Sequence, residues 1–413
     1  MKNIDVICFD ENATPFATFQ SHNQKVISNE NGIFLTYLLT RNELYTEQKW
    51  RLLWSKDNGN SFEVLYESVD ATNPAPLETD EDNNVYLVYP DFVDLNSYLM
   101  IFKAEQNYKN PTKTVIPNSA AGKVCMKYDK YRKQLYYFSK IGTLHIIDRD
   151  GQVKFSTQIT NPGNSAQVEY PQLSIDHNRN LHAAWTTNKY NTYHYWSIHY
   201  MVSKDGGYKW QRMDGTPIEL PVFSDENGNT DRISTDEELS RANTWLSNFI
   251  AHNGKLHFMY RAIAHQDYKT TKDDFDNGRQ HYIRYDIATG KKDHEIVPYF
   301  SGSEIQIIGM DGFFVSDPSN RHSTLYYISK QGGRIACLAS DDDGTSWYDY
   351  AVSREMVSDT GAIYAIGGFR EITKDGYMIG SYTERCGDFA DIFGNTRVQF
   401  IRLKVNYKRR EST

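Results

Sequence analysis

Residues 203–210 read SKDGGYKW, and the chain repeats the phrase with small changes as SKDNGNSF at 55–62 and SDDDGTSW at 340–347. Each copy is a polar turn closed by a bulky aromatic. Asp and Ser in such a turn accept backbone N–H groups, glycine takes a backbone conformation that other residues resist, and the aromatic can tuck between sheet faces. These are the parts of a scaffold: none supplies a nucleophile. The run Asp341–Asp343 could take a structural calcium, although the ligand spacing of a helix-loop-helix calcium site is absent, and no cofactor is called for.

Working outward from the turns, a weaker unit recurs: an apolar strand, a turn rich in Asn, Asp or Gly, and a second strand rich in Tyr. It begins at Val26, Pro76, Cys125, Pro171, Leu246, Phe313 and Gly367, at steps of 46 to 75 residues. Each step leaves room for a third and fourth strand, as WRLLWS with FEVLYE, IHYMVS with YKWQRM, and ACLAS with WYDYAV illustrate. Short antiparallel strands in fours, with no space for long helices, describe propeller blades, whose apolar faces are covered only when neighbours close a ring. The expectation is an all-β chain forming a single seven-bladed β-propeller domain over 1–413, with six blades as the alternative and paired sandwiches as the rival. Residues 214–243, with a short helix expected from Thr235, and 265–280 read as loop insertions. The opening IDVICFD is expected to pair beside the closing VQFIRLKVN and latch the ring.

Composition agrees and narrows the function. The 413 residues include 30 Tyr, 20 Phe and 7 Trp, a surplus suited to half-buried sheets. Net charge is -8 and the sole basic cluster is Lys408–Arg410, so a nucleic-acid groove is not expected. Four scattered cysteines form no metal pattern and read as isolated thiols. No apolar run is long enough for a membrane span, and MKNIDVICFDENATPF turns acidic too early for a signal peptide. A cytoplasmic location follows if the sequence is complete, a secreted or periplasmic one if a leader has been removed.

The turns resemble the Asp-box, SxDxGxxW, of sialidase-like propellers: Ser203, Asp205, Gly207 and Trp210 match it, as do Ser340, Asp342, Gly344 and Trp347, while Phe62 replaces Trp in the first copy. The stretch FATFQSHNQKVISNENGIFLTYL also resembles the opening repeat of BNR-4-type propellers, with Phe16 and Phe19 as its aromatics and His22 and Asn23 near the family's Asp-Pro. The resemblance implies that the Asp-box turns lie away from the ligand, and that group includes polysaccharide lyases. The Phe-Arg-Ile-Pro motif of true sialidases is missing.

If the turns share one face, the loops between second and third strands and the blade crossovers share the other. Their aromatic, arginine and histidine content suits an oligo- or polysaccharide ligand. For β-elimination of a uronic-acid glycan, a neutral His can take the proton, a Tyr can serve as acid, and an Arg can neutralise the carboxylate. The candidates are His194 or His22 as base, with His265 in reserve, Tyr193 or Tyr190 as proton donor, and Arg261 as clamp. Arg41, Trp196, Arg241, Arg385 and Asp388 are candidate substrate-binding residues. The competing readings are a glycoside hydrolase, for which Glu384 beside Arg385 is the first carboxylate to test, and a glycan-binding propeller without chemistry. His182 and His257, in the matched strands LHAAW and LHFMY, read as scaffold.

Overall fold

The structure, a computed structural model, describes residues 1–10, 13–14, 16–40, 48–68, 71, 73–161, 166–189, 195–224, 229–233, 242–264, 279–297, 311–317, 323–331, 333–354, 363–385 and 396–405. Among them there is one 3₁₀ turn, Ala104–Gln106, and no α-helix. Everything else regular is strand. Val26–Asn29, Gly32–Thr40, Gln48–Ser55 and Glu63–Glu67 pair in sequence order as an antiparallel meander, and the same arrangement recurs over 77–116, 124–158, 242–296 and 312–353. These repeated four-stranded sheets are those of a β-propeller.

Two sheets depart from the plain pattern. In the 166–218 sheet, YKWQRM contributes only Trp210–Gln211 as a strand, not the full outer strand expected. Asp231–Arg232 takes the place beside His199 and Tyr200, so the edge is assembled from two pieces, the second supplied from within the 214–243 segment. The expected helix at Thr235 and the 265–278 part of the second insertion lie outside the described residues. In the last sheet, Ile363–Gly368, Tyr377–Arg385 and Thr396–Lys404 are completed by the N-terminal strand Lys2–Asp10. Its residues Asp5–Asp10 run antiparallel to Val398–Arg402, while Lys2–Ile4 run parallel to Ala351–Ser353 of the preceding sheet. The latch expected from IDVICFD is present.

The innermost strand of each sheet lies against that of the next, and Ile363–Gly368 returns to Val26–Asn29. Core clusters accordingly form between sheets. Leu35, Trp50 and Phe34 share one with Leu77, Val85 and Phe102 on one side and with Ile379 and Phe400 on the other.

The three repeated turns have one geometry. The glycine N–H donates to the serine hydroxyl at 2.8, 2.7 and 2.7 Å, and the serine bonds its aspartate at 2.8 to 2.9 Å. Glycine is required for a further reason. Gly344 has φ +82°, and a Cβ there would stand 1.8 Å from the Tyr282 hydroxyl of the preceding sheet; at Gly59 it would stand 2.2 Å from Phe400. Trp347 packs on Tyr282 and Phe62 on Phe400, with ring centroids 5.2 and 5.3 Å apart. The turn is a spacer between sheets. Its aspartates are occupied separately: Asp341 by Thr324 and Tyr348, Asp342 by Ser340 and Ser346, Asp343 by Asn253. No group able to hold a metal ion occurs among the described residues.

Asn253, in the first turn of its sheet, bonds Asp343 in a repeated turn, and the Trp54 indole donates to Asn31 across its own sheet. Both kinds of turn therefore occupy one face. The opposite face is left for the crossovers. No helix of the described residues is long and apolar enough to cross a membrane.

Candidate functional site

Residues 13–25 carry the chain from the N-terminal strand across this opposite face to the first meander. The segment is pinned on several sides of the ring: Ala13 donates to the Thr396 carbonyl at 3.0 Å, Thr18 to the Thr383 hydroxyl at 2.9 Å, and Leu77 to the Gln24 carbonyl at 2.7 Å. Gln20 reaches Gly122. A crossover held at so many points places His22 by backbone geometry rather than by loop sampling.

His22 is buried, with Nε2 3.2 Å from the Val124 carbonyl oxygen. A carbonyl can only accept, so Nε2 carries the proton and Nδ1 holds a lone pair. That Nδ1 is buried and has no hydrogen-bond partner among the described residues. Burial, with Lys25 adding to it, holds the imidazole well below its ordinary pKa, so the ring is neutral at pH 7.

The His22 ring meets Tyr170 edge-on at 5.3 Å between centroids. Tyr170 sits at φ +51° in a bulge that shifts the register between Glu169 and Gln172, a distortion that turns its side chain out of the plain strand alternation. Burial raises its phenol well above the ordinary value, and the neighbouring Tyr195 and Glu169 add to that. Trp245 stacks on Tyr170 at 4.6 Å and lies 4.1 Å from Tyr195. Lys123 places its ammonium 4.3 Å from the Tyr170 ring centre, and Lys123 and Lys140 together grip Glu169. The result is a neutral histidine, a protonated tyrosine and a cluster of cations in one place.

Arg261 approaches from the next sheet. It is 3% exposed and stands directly across from Trp245 on one side and Gln280 on the other. Directly opposed residues share a sheet face, so Arg261 lies on the face that carries Trp245 onto Tyr170. Glu384 lies elsewhere. It is buried against Gln399, whose amide donates to it at 2.6 Å, in a groove beside the N-terminal strand. Tyr190, Tyr193, His194, His265, Arg41, Arg241 and Asp388 fall outside the described residues, as do the side chains of Trp196 and Arg385. The backbone of Trp196 belongs to the strand Tyr195–Ser203 rather than to a loop.

Tyr170, Tyr195, Glu169 and Trp245 were not singled out by the sequence because they sit inside strands, and Lys123 because it sits in the bend just before one. A signal existed: VEYPQ places a carboxylate and a tyrosine at the head of a strand that is otherwise apolar. His182 and His257 bond Tyr200 and Tyr282 across their sheets at 2.6 and 2.8 Å, the same scaffold contact twice. Below the crossover, the axis on the turn-bearing face holds a cavity of about 280 Å³ with Glu78, Lys127 and Arg370 among its lining. Arg370 closes its upper end by donating to the His22 carbonyl at 2.7 Å.

No protein-family model matches this sequence, and no curated protein matches it. Solved structures do. An ulvan lyase of polysaccharide lyase family PL25, bound to -[GlcA(1-4)Rha3S]-, superposes with TM-score 0.68 at 10% identity over 95% of both chains. The polysaccharide lyase Uly1 superposes with TM-score 0.61 at 10% identity, over 97% of this chain and 99% of its own. The chain has the fold of these lyases. At such identity the likeness concerns the β-propeller architecture, and the chemistry has to be argued from the side chains.

Proposed function

We propose that this protein is a polysaccharide lyase that cleaves a uronic-acid-containing glycan by β-elimination. Its frame is read as one domain, a seven-bladed propeller of the Asp-box kind closed by the N-terminal strand, with 214–243 and 265–280 as insertions. The succession of innermost strands back to Val26–Asn29 and the shared turn geometry support that frame. The observation that carries the function is the contact of His22 with Tyr170 at the crossover face.

In the proposed reaction His22 Nδ1 removes the proton from C5 of the uronate. The electron pair forms the C4=C5 double bond, the C4–O bond breaks, and the Tyr170 hydroxyl delivers a proton to the departing oxygen. Each residue is in the protonation state its task requires, since burial keeps the imidazole neutral and the phenol protonated. Arg261, with Lys123, neutralises the carboxylate so that the C5 proton can leave. Trp245 offers an aromatic wall for a sugar ring. The two lyases of the same fold, one bound to a glucuronate-containing oligosaccharide, support the substrate class.

The test is incubation with a panel of acidic and neutral polysaccharides. An ultraviolet-absorbing unsaturated uronide is expected from the acidic ones, and new reducing ends without that absorbance would reject elimination in favour of hydrolysis. H22Q and Y170F are each expected to lower turnover by roughly 10²–10⁴-fold with the melting transition retained. Undiminished turnover in H22Q would remove the base assignment.

A further inference from the structure

Another cavity lies at the seam where the N-terminal strand changes sheets. It is a groove of about 680 Å³ whose lining includes Asp5, Arg354, Glu384, Arg397, Gln399 and Arg402. Lys2–Ile4 pair with Ala351–Ser353 and Asp5–Asp10 with Val398–Arg402, so the groove lies where the strand changes partner.

Its charges do not cancel. Asp5 is taken by Arg402 at 3.2 Å, and Arg402 also donates to the Asn58 carbonyl at 2.8 Å. Burial raises the Glu384 carboxyl, while the Gln399 amide that donates to it and the charge of Arg397 oppose the shift, so three arginines face two carboxylates in the groove. Arg354 and Arg397 remain, both exposed, and neither makes a side-chain hydrogen bond or ion pair with another described residue. In a chain of net charge -8 this is a local positive site. On its floor Gln399 is 5% exposed, and its Oε1 is buried without a hydrogen-bond partner among the described residues. A buried amide oxygen left in that state costs free energy that a donor from a ligand would recover.

We infer that the groove formed by Arg354, Arg397 and Gln399 is a second binding site for an acidic sugar, separate from the His22 centre. The two guanidinium groups match a carboxylate or sulfate, and Gln399 Oε1 accepts from a hydroxyl on the same sugar. A free anion would satisfy the arginines alone. An acidic sugar satisfies all three. The inference shares its ligand class with the proposed function but does not depend on cleavage, because it concerns binding at a different place.

Hydrogen exchange of the full chain, measured with and without a chondroitin sulfate octasaccharide, tests it. The oligosaccharide is expected to slow exchange at least about threefold in residues 3–8 and 397–402. A neutral dextran oligosaccharide should have no effect there, and the R354Q/R397Q variant should lose the protection while keeping any protection at residues 20–25 and 168–172. Direct titration of an H22Q sample, which retains ligand, should show about tenfold weaker groove binding on adding the two arginine substitutions. Three results would overturn the inference: no protection at the seam, equal protection by dextran, or protection that survives in R354Q/R397Q. Equal protection by inorganic sulfate would overturn the sugar assignment. Failure to form an unsaturated product would count against the His22 chemistry and leave this result standing.

Discussion

Lys25, three residues beyond His22, shows how the crossover fixes protonation states. Its ammonium is buried and held by the carbonyl oxygens of Gln20 and Asn23. Burial lowers its pKa to about 7, Asp311 opposes the shift, and Arg370 adds to it. Between pH 7 and the ordinary lysine value the unfolded chain holds a proton that the folded chain has released. Stability therefore rises with pH across that window, and below pH 7 the cost of burial is carried in full. K25M should flatten the dependence of unfolding free energy on pH between 7 and 9, and should gain a few kcal/mol at pH 6 relative to pH 9. Denaturant unfolding of both proteins at several pH values measures this; parallel curves would mean the ammonium is not depressed. With His22 as the proposed base, the same burial predicts an acid limb of kcat/KM below the ordinary histidine range, because a lowered pKa keeps the imidazole unprotonated to lower pH.

At the scale of the element, the repeated turn makes a claim about neighbours rather than about itself. Gly344 and Gly254 both have positive φ, +82° and +76°, so alanine at either carries a left-handed backbone cost of about 1–2 kcal/mol. Only Gly344 faces an obstacle. Its added methyl would meet the Tyr282 hydroxyl, which is buried and bonded to His257, whereas nothing lies within 4 Å at Gly254. G344A should therefore destabilise by roughly 1–3 kcal/mol more than G254A, and Y282F should relieve part of the excess in a double-mutant cycle. Equal losses at the two glycines would defeat the spacer role. This coupling explains what was legible in the sequence. Strand alternation and turn chemistry are local, so SKDGGYKW, the hairpins at Val26 through Gly367 and the latch could be read directly. The proposed site was legible only in part: His22 and Arg261 were named from the sequence, but their partners depend on a bulge at Tyr170, on Trp245 stacking from another sheet and on a crossover that brings His22 edge-on to Tyr170. Candidates were sought on loops, where function is common. Tyr170 and Trp245 instead lie within strands, where the chain pattern around them is that of ordinary core.

For the whole molecule, the chain meets itself where Lys2–Asp10 completes the last sheet. Removing residues 1–10 would uncover the edge of Thr396–Lys404 along Val398–Arg402 and take the buried Ile4 from a core shared by the last two sheets. It would also remove Phe9 from its contacts with Tyr37 and Phe62 of the first sheet. An open strand edge is a template for other chains, and each lost core residue costs a few kcal/mol, so the truncated protein should melt at a lower temperature and aggregate on heating. The crossover keeps independent anchors at Thr18 with Thr383 and at Ala17 with Leu38, so His22 should stay in place at low temperature. Truncation is thus expected to shorten the lifetime of the fold at 37 °C while sparing turnover in the cold, and a synthetic peptide of residues 1–10 added in trans should raise the melting temperature again. A truncated chain that melts with the full-length protein would show that the N-terminal strand rests on an edge already closed by other means, and the ring would then have to owe its stability to the contacts between Gly59, Phe62 and Phe400.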